Sequence, residues 1–239
     1  MYYLNITTAD PFLNLAIEEI LLKNDSRDFF LLYINNPSVV IGKHQTAHRE
    51  ADTKFTFENN IPVIRRISGG GTVYHDQGNL NFSFITRSES GKQVDFRRYT
   101  APVINFLRSM NIDARFEGKN DIRVDGLKIS GNAEHVHRER VLHHGTLLFD
   151  ASLNELGNSI RKDTSCYSSR SVNSNPSEVT NLSRMLPAIL QPCFSGDKGF
   201  IGLPAGHRPR TRSGTAYGGS RFLAHQHGKS MGTSGVASI

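Results

Sequence analysis

The feature that most constrains the fold is the stretch at residues 65–76, RRISGGGTVYHD, in which three consecutive glycines follow two arginines. The residues on either side, 63–67 and 72–75, have the short apolar pattern of β-strands, so the glycines join one strand to the next. Backbone without Cβ atoms can approach a ligand closely and turn successive N–H groups toward an anion. The stretch therefore predicts an anion-binding loop, with Arg66 placed to grip a phosphate or a carboxylate.

This glycine loop differs from the two common nucleotide-binding patterns. A Walker loop continues into Gly-Lys-Ser or Gly-Lys-Thr, and a dinucleotide fingerprint leads into a helix, whereas a strand follows here. The plain alternative is a glycine-rich turn in an antiparallel sheet that binds nothing. The loop alone does not decide between a ligand site and such a turn.

Hydrophobic periodicity outlines the rest of the chain. We predict helices over 11–23, 50–59, 96–110 and 153–160, the first of them starting at Asp10-Pro11. We predict strands over 29–34, 39–42, 63–67, 72–75, 80–86 and 141–149, and a hairpin over 122–129 with a two-residue Asp-Gly turn. Because strands outnumber helices and hairpins join most of them, the chain is expected to form an α+β domain with one mixed sheet.

Composition restricts the class of protein. The 239 residues include no apolar run long enough to cross a bilayer, and the N-terminus lacks the basic and apolar regions of a secretory signal. The two cysteines, Cys166 and Cys193, do not make a disulfide framework and suit a reducing compartment. These features predict a cytoplasmic protein without a membrane partner.

The net charge of +6 is concentrated near the C-terminus. From residue 192 onward there are six lysines or arginines and one aspartate, so this segment supplies about +5 of the total. The rest of the chain is nearly neutral and offers no electrostatic footprint for a nucleic acid. We therefore expect no nucleic-acid partner.

Two further polar clusters follow the glycine loop. Lys128 comes just after the Asp-Gly turn in KNDIRVDGLKISGNA, and His143 and His144 precede a glycine in HHGTLLF. Taken singly, a lysine beside a hairpin turn is usually a solvated charge, and a histidine at the head of a strand is usually structural. The functional interpretation therefore depends on the clusters occurring together.

In their order and spacing, RRISGGGTVYHDQGN, KNDIRVDGLKISGNA and HHGTLLF closely resemble the lipoate-protein ligase A family. DPFLNLAIEE, VVIGKHQ and SEVTNLS match further landmarks of that family, so the resemblance covers about residues 2–187. It implies a two-layer α+β catalytic domain over 1–187, with a central mixed, largely antiparallel sheet packed by helices. This is the biotin/lipoate ligase fold, which is similar to that of class II synthetases.

The resemblance also implies an ATP-dependent ligase. Members of the family convert lipoate to lipoyl-AMP with ATP and Mg²⁺, and then transfer the lipoyl group to a lysine of an acceptor domain. The implied partners are the E2 subunits of 2-oxoacid dehydrogenases and the H protein of the glycine cleavage system. The sequence does not distinguish lipoate from octanoate, because that preference depends on the depth of the pocket.

Three residues receive specific roles from the resemblance. Lys128 matches the essential lysine, whose ammonium would lie between the acyl carbonyl oxygen and the phosphate and stabilise the charge that develops on both. Asn120 and Asp121 match an Asn-Asp pair near adenine and Mg²⁺. One carboxylate plus substrate phosphates is a normal Mg²⁺ environment, so Asp121 is the implied metal ligand.

The other implied site residues fall into three sets. The residues that would hold the adenylate and the carboxyl end of lipoate are Arg66, Ser68, Gly69, Gly70 and Gly71. The residues that would line the pocket beside them are Thr72, Val73 and His75. The residues that would shape the acyl pocket are Asn79 and His144.

The chain departs from the family after residue 187. Residues 188–239 are rich in glycine, serine, histidine and arginine without helical or strand periodicity, which is typical of a disordered tail or of a change of reading frame. Longer members of the family carry an accessory domain at this place. We therefore expect that domain to be absent, which makes a separate accessory chain a candidate partner.

Three alternatives remain open at this point. The first is an octanoyltransferase that uses Cys166, in KDTSCYSSRS, as a thioester nucleophile. The second is a non-catalytic lipoate-binding or nucleotide-binding module. The third is a metal site built from His135, His137, His143 and His144, since strand spacing puts the first two on one face.

Overall fold

The computed structural model describes residues 1–88, 94–160, 171–172, 174 and 177–186. The strands in this part of the chain are β1 Tyr2–Ile6, β2 Phe29–Ile34, β3 Ser38–Ile41, β4 Val63–Arg65, β5 Val73–His75, β6 Asn79–Arg87, β7 Arg115–Glu117, β8 Asp121–Val124, β9 Leu127–His137 and β10 Arg140–Leu148. The helices are α1 Pro11–Asn24, α2 Ala47–Glu50, α3 Thr53–Glu58, α4 Phe96–Ser109 and α5 Leu153–Ser159, followed by a 3₁₀ turn at Leu182–Arg184.

Seven strands form the large sheet, in the order β1-β2-β6-β10-β9-β8-β7. β1 and β2 run parallel, and the remaining neighbours are antiparallel. Hairpins join β8 to β9 and β9 to β10, which accounts for the antiparallel part of the sheet. The sheet is therefore mixed and largely antiparallel.

Alternating side chains of the central strands fill a core on each face of the large sheet. α1 packs on one face, over residues that include Leu31, Ile85 and Leu142. α4 packs on the other face, over residues that include Phe82 and Phe84. Burying one such side chain is worth about 1.5–3 kcal/mol, so the two cores hold the helices against the sheet.

α1 turns two polar residues toward the sheet, next to the apolar residues Ile17, Leu21 and Leu22 that pack on its core. Its buried residues include Asn14, Glu18 and Leu22, which recur every four residues. The apolar residues Phe12 and Ile20 of the same helix are exposed. Hydrogen-bond partners on the sheet select this orientation, because a buried carboxylate must be paired.

A second, small sheet carries the glycine loop. Its strand order is β4-β3-β5, with β3 parallel to β4 and antiparallel to β5. Val39, Ile41 and Tyr74 form its core together with Ala51 and Ile61. Residues 66–72 connect β4 to β5, so the loop does join strand to strand, as the sequence predicted.

The predicted fold class is confirmed, since helices pack on a mixed, largely antiparallel sheet. The structure adds the separate small sheet, the cover of both faces of the large sheet, and the strands β1 and β7. The helix predicted over 50–59 is observed as the shorter α3, and α2 precedes it and overlaps the predicted range only at Glu50. The Asp-Gly turn is as predicted, with both residues in the left-handed region, at φ 50° for Asp125 and 78° for Gly126.

Two predictions concern residues outside the described part of the chain. They are the nucleophile proposed at Cys166 and the tail at 188–239. None of the helices within the described ranges combines the length and the hydropathy that a membrane span requires.

Candidate active site

A cavity of about 640 Å³ is lined jointly by the glycine loop, the β8–β9 hairpin and β10. Its walls include eleven of the thirteen predicted site residues, among them Lys128 and His144. The two others, Ser68 and Asn79, are completely buried behind it. The fold therefore brings together three sequence clusters that are far apart in the chain.

Arg66 is buried under the glycine loop and holds the backbone of that loop. Its Nη2 donates to the carbonyl oxygens of Gly69 and Gly71, each at 2.7 Å, and its Nη1 donates to the carbonyl oxygen of Val40 at 3.0 Å. Its Nε donates to the Ser68 hydroxyl at 3.0 Å. Three of its five N–H groups thus hold the loop and a fourth holds β3, and the charge of Arg66 lies in the cavity wall.

A buried hydrogen-bonded chain supports this loop from below. Ser68 Oγ lies 2.6 Å from His144 Nε2, and His144 Nδ1 lies 2.9 Å from Glu18 Oε2. The other Glu18 oxygen accepts hydrogen bonds from the hydroxyls of Tyr33 and Ser83. Burial alone would raise the pKa of Glu18, but the charge of His144 and these hydrogen bonds together lower it.

The chain from Ser68 through His144 to Glu18 has the connectivity of a catalytic triad, but it is built as a support. The Ser68 side chain is completely buried and does not reach the cavity. A nucleophile must contact its substrate, so this hydroxyl does not fit that role. The chain ties α1, the glycine loop and β10 together.

His75 is a neutral hydrogen-bond donor in the cavity wall. Burial, with the nearby charge of Arg66, lowers its pKa to about 3. The Asn35 amide donates to His75 Nδ1 at 2.9 Å, so the remaining ring proton lies on Nε2. Asn14 donates in turn to Asn35 Oδ1 at 2.8 Å, which fixes the orientation of the Asn35 amide.

Lys128 extends along the β8–β9 hairpin to a carboxylate. Its Nζ lies 2.9 Å from Asp121 Oδ1, and Arg123 Nη2 lies 2.9 Å from Asp121 Oδ2. The backbone of Lys128 also makes hydrogen bonds outside the β8–β9 pairing. It donates to the Glu178 carbonyl oxygen at 2.9 Å and accepts from Thr180 N at 3.0 Å. Both the backbone of Lys128 and its ammonium group are therefore held in defined positions in the cavity wall.

The surroundings of Asp121 do not fit a protein-held Mg²⁺. Both oxygens of its carboxylate are in ion pairs, and a divalent ion there would meet two cations at once. The described residues also contain no group of three His, Cys, Asp or Glu side chains that could hold a metal, so a metal here would depend on substrate phosphates for its other ligands. The predicted partner Asn120 is bonded instead to the β9 backbone, where its carbonyl oxygen accepts from Asn132 N at 3.0 Å.

The histidine metal site considered from the sequence is wrong. His143 and His144 are adjacent on β10 and point to opposite faces of the sheet. His143 Nδ1 lies 2.9 Å from Glu134 Oε1 among the aromatic rings of one face, while His144 pairs with Glu18 on the other. Within the described ranges, no such cluster of ligands forms.

Sequence reasoning missed several residues of the site. Glu18, Tyr33, Arg123, Gly131 and Asn132 contribute to it, the last four as part of the cavity wall. The sequence did contain a signal for Glu18. Asn14 and Glu18 are polar residues spaced by four, so they lie on the same face of the helix. Asn79 contributes indirectly, since its amide donates to Asn81, which lines the cavity.

A family model described as "Lipoyl protein ligase A/B catalytic domain" matches residues 10–192. "Lipoate-protein ligase LplJ" of Bacillus subtilis strain 168 is 44% identical over 184 residues, which are 76% of this chain and 56% of that protein. "Lipoate--protein ligase 1" of Staphylococcus aureus strain Mu50 is 42% identical with the same coverage. The chain thus spans little more than half the length of these relatives.

Solved structures agree with the sequence relatives. A putative lipoate protein ligase of T. acidophilum with bound lipoic acid superposes with a TM-score of 0.68 at 27% identity, over 78% of each chain. A lipoate-protein ligase A bound with ATP gives 0.64 at 29% identity, over 68% of this chain and 72% of that one. A bi-partite lipoate protein ligase of Thermoplasma acidophilum, described with its E2 lipoyl domain, gives 0.67 at 27% identity, over 78% and 76%.

Proposed function

Because this chain belongs to the lipoyl protein ligase A/B catalytic domain family, we propose that it is the catalytic part of a lipoate-protein ligase. It binds lipoate and ATP, forms lipoyl-AMP, and transfers the lipoyl group to a lysine of an acceptor lipoyl domain. One observation carries the proposal: the Lys128 ammonium and the Arg66-supported glycine loop line the same cavity. A volume of about 640 Å³ also lies within the range of ligand pockets, about 300–1,000 Å³.

The first step joins two anions, so it needs positive charge and fixed donors. A carboxylate oxygen of lipoate attacks the α-phosphorus of ATP, and the bond from that phosphorus to the bridging oxygen of pyrophosphate breaks. The glycine-loop amides and the charge of Arg66 stabilise the phosphate, while Lys128 draws the carboxylate toward it. The backbone that surrounds the phosphate is supplied by Gly69, Gly70, Gly71, Thr72 and Val73.

Lys128 also assists the second step, in which the acyl–phosphate bond formed in the first step is broken. The uncharged amine of the acceptor lysine attacks the acyl carbonyl carbon, the carbon–oxygen bond to phosphate breaks, and AMP leaves with the bonding electrons. Lys128 stabilises both the carbonyl oxygen and the departing phosphate. The amine releases its proton to solvent, and the acceptor lysine ends as an amide.

Magnesium bound to the triphosphate would neutralise part of its charge. This chain's own contribution is made by Lys128 and Arg66, and Asn120, which the family resemblance places near adenine, borders the same cavity. The neutral ring of His75 offers a further donor in the wall, and His144 holds the loop through Ser68.

The partners follow from the proposed reaction. The T. acidophilum ligase is described with its E2 lipoyl domain and is called bi-partite. By analogy, the acceptors here are lipoyl domains of 2-oxoacid dehydrogenase E2 subunits and the glycine cleavage H protein, and a separate accessory-domain chain is a candidate partner. In keeping with the reducing compartment predicted from its two cysteines, we place the reaction in the cytoplasm.

Lipoate-dependent exchange of labelled pyrophosphate into ATP tests the proposal. The wild-type chain is expected to exchange label only when lipoate is present, and Lys128→Ala is expected to lose about 10²- to 10³-fold of the rate. Octanoate in place of lipoate reports the depth of the acyl pocket. Exchange that is absent from the wild type, or that does not depend on lipoate, would contradict the proposed function.

The octanoyltransferase alternative has a separate readout. A thioester route through Cys166 requires no ATP and fails in Cys166→Ser. The proposed ligase retains its exchange activity in Cys166→Ser. Acyl transfer from an octanoylated carrier protein that is lost in this variant would favour the alternative.

A further inference from the structure

We propose that Gly131, Asp121 and Arg123 form a positioning device for Lys128, and that Asp121 serves this device instead of binding magnesium. The proposal rests on the ligase function proposed above, in which Lys128 is the catalytic cation. The device has three parts: a strand irregularity that selects the face of Lys128, a bare glycine beneath its side chain, and a carboxylate that fixes its end.

The first part is a one-residue bulge in β9. Arg123 faces Lys128 across the hairpin, although a regular continuation of the Asp121–Gly131 pair would place Ile129 there. A shift of one residue turns a side chain to the other face of a sheet. The bulge therefore puts Lys128 on the face that carries Asp121 and Arg123, and the tight Asp-Gly turn holds this register.

The second part is the absence of a side chain at Gly131. A Cβ atom at this position would lie 3.0 Å from Lys128 Cε and 3.1 Å from Nζ. The lysine side chain thus crosses the bare backbone of Gly131 on its way to Asp121. Any larger residue must push the ammonium group aside by a few tenths of an ångström, while the backbone can stay where it is.

The third part is the Asp121 carboxylate, which bridges two cations. One oxygen holds Lys128 Nζ and the other holds Arg123 Nη2, each at 2.9 Å. Arg123 is fixed in turn by the Gly126 carbonyl oxygen at 2.8 Å and by Ser177 Oγ at 3.3 Å. The side chains of Asp121 and Lys128 are only 13% and 24% exposed, so water screens this pair weakly.

This charge arrangement separates the two possible roles of Asp121. A magnesium ion at Asp121 would have to share each carboxylate oxygen with a cation, Lys128 on one and Arg123 on the other, and both cations would repel it. A positioning residue needs only a stable partner, which Arg123 provides. The two roles therefore predict different responses to magnesium when the carboxylate is replaced.

Asp121→Asn is the first test, in the pyrophosphate exchange assay at several Mg²⁺ concentrations. Removing the charge while keeping the shape is expected to lower kcat about tenfold to a hundredfold, since a catalytic group displaced by about 1 Å can cost 10²-fold. The KM values and the half-saturating Mg²⁺ concentration are expected to stay within about threefold. Calorimetric titration with ATP should show the same gain in affinity on adding Mg²⁺ as in the wild type.

Two outcomes would overturn the proposal while leaving the ligase function intact. One is a half-saturating Mg²⁺ concentration raised tenfold or more in Asp121→Asn, with activity restored by excess Mg²⁺. The other is a kcat within twofold of wild type. Asp113→Asn is the matched control, because Asp113 pairs with Arg115 at 2.6 Å on the neighbouring strand and is exposed. It is expected to change neither quantity.

Gly131→Ala tests whether the missing side chain at residue 131 is needed to position Lys128, with Asp121 unchanged. The melting temperature is expected to stay within about 2 °C, because only the end of a flexible side chain must move. The kcat is expected to fall about tenfold, and this loss should vanish when Gly131→Ala is introduced into Lys128→Ala. An unchanged kcat, or an equal further loss in the Lys128→Ala background, would show that Gly131 does not act through Lys128.

Discussion

Glu18 Oε2 lies 2.9 Å from His144 Nδ1 in the interior, and this pair connects α1 to the central strand β10. Both side chains are at least 90% buried, so neither has water to replace a lost partner. The contact explains why α1 turns Asn14 and Glu18 inward and leaves Phe12 exposed. It also links the orientation of a helix to the position of the glycine loop.

Glu18→Gln is expected to lower the free energy of unfolding by about 2 kcal/mol, because His144 Nδ1 loses its carboxylate partner and a hydrogen bond to a charged group is worth about 1.5–3 kcal/mol. Urea denaturation at neutral pH measures this change. Glu19→Gln removes a partly exposed carboxylate that pairs with Lys23, and should cost less than about 1 kcal/mol. Equal effects of the two substitutions would mean that the buried pair is not structurally important.

His75 gives the stability of the protein a pH dependence with a defined sign. Its pKa is about 3 in the folded protein and near 6.5 when unfolded, so the unfolded state binds more protons between these values. Stability should therefore fall as the pH is lowered from 6.5. From pH 6 to pH 5, His75 should account for a loss of about 1 kcal/mol.

Urea denaturation at these two pH values compares the wild type with His75→Gln. Glutamine keeps a donor but cannot be protonated, so the variant should lose about 1 kcal/mol less than the wild type over this interval. His143, whose pKa is also lowered by burial, contributes to both proteins in the same way. His48→Gln, at an exposed position, should follow the wild type, and an identical slope in His75→Gln would contradict the prediction.

Gly42 should be important for the conformation of the glycine loop, although it lies outside that loop. A Cβ atom at Gly42 would lie 2.2 Å from the carbonyl oxygen of Gly70, which is backbone and cannot swing away. Gly42→Ala is expected to destabilise the fold by about 1–3 kcal/mol and to weaken ATP binding. Thermal unfolding and calorimetry check this. Gly69→Ala, with nothing within 4 Å of the new atom, should have the same melting temperature as the wild type.

Arg66→Lys tests whether the guanidinium holds the loop through its several donors. Lysine keeps the charge but cannot reach Gly69, Gly71 and Val40 at once, so the loop should lose its fixed shape. We expect a loss of about 3 kcal/mol in stability and at least a tenfold loss in ATP affinity. Arg115→Lys, at an exposed pair, is the control, and an Arg66→Lys protein with normal ATP affinity would argue against this role.

Most of the fold could be predicted because its signals are local. β2 has the bounds that periodicity gave it, and the Asp125–Gly126 turn has the left-handed geometry that its residues favour. β1 was missed because YYLNI at a sheet edge has an almost entirely exposed pattern, without alternation between core and solvent. The bulge at Ile129 was missed because it depends on strand pairing, which periodicity does not report.

The site could be predicted as a group of motifs, but not as a network of contacts. The cavity does combine Lys128, the glycine loop and His144, which their order in the chain suggested through the family resemblance. The inward role of Arg66 and the double pairing of Asp121 depend on distances between segments far apart in sequence. Charge type alone therefore suggested ligand contacts where the structure shows contacts within the protein.

The most direct measurement is the amount of lipoyl-AMP that the purified chain retains after incubation with ATP and lipoate, determined by mass spectrometry of the extracted ligand. If the chain forms lipoyl-AMP with the help of Lys128, we expect lipoyl-AMP approaching one equivalent on the wild type, and almost none on Lys128→Ala under the same conditions. A wild-type chain that binds ATP and lipoate but yields no mixed anhydride, or a Lys128→Ala chain that accumulates as much as the wild type, would contradict it.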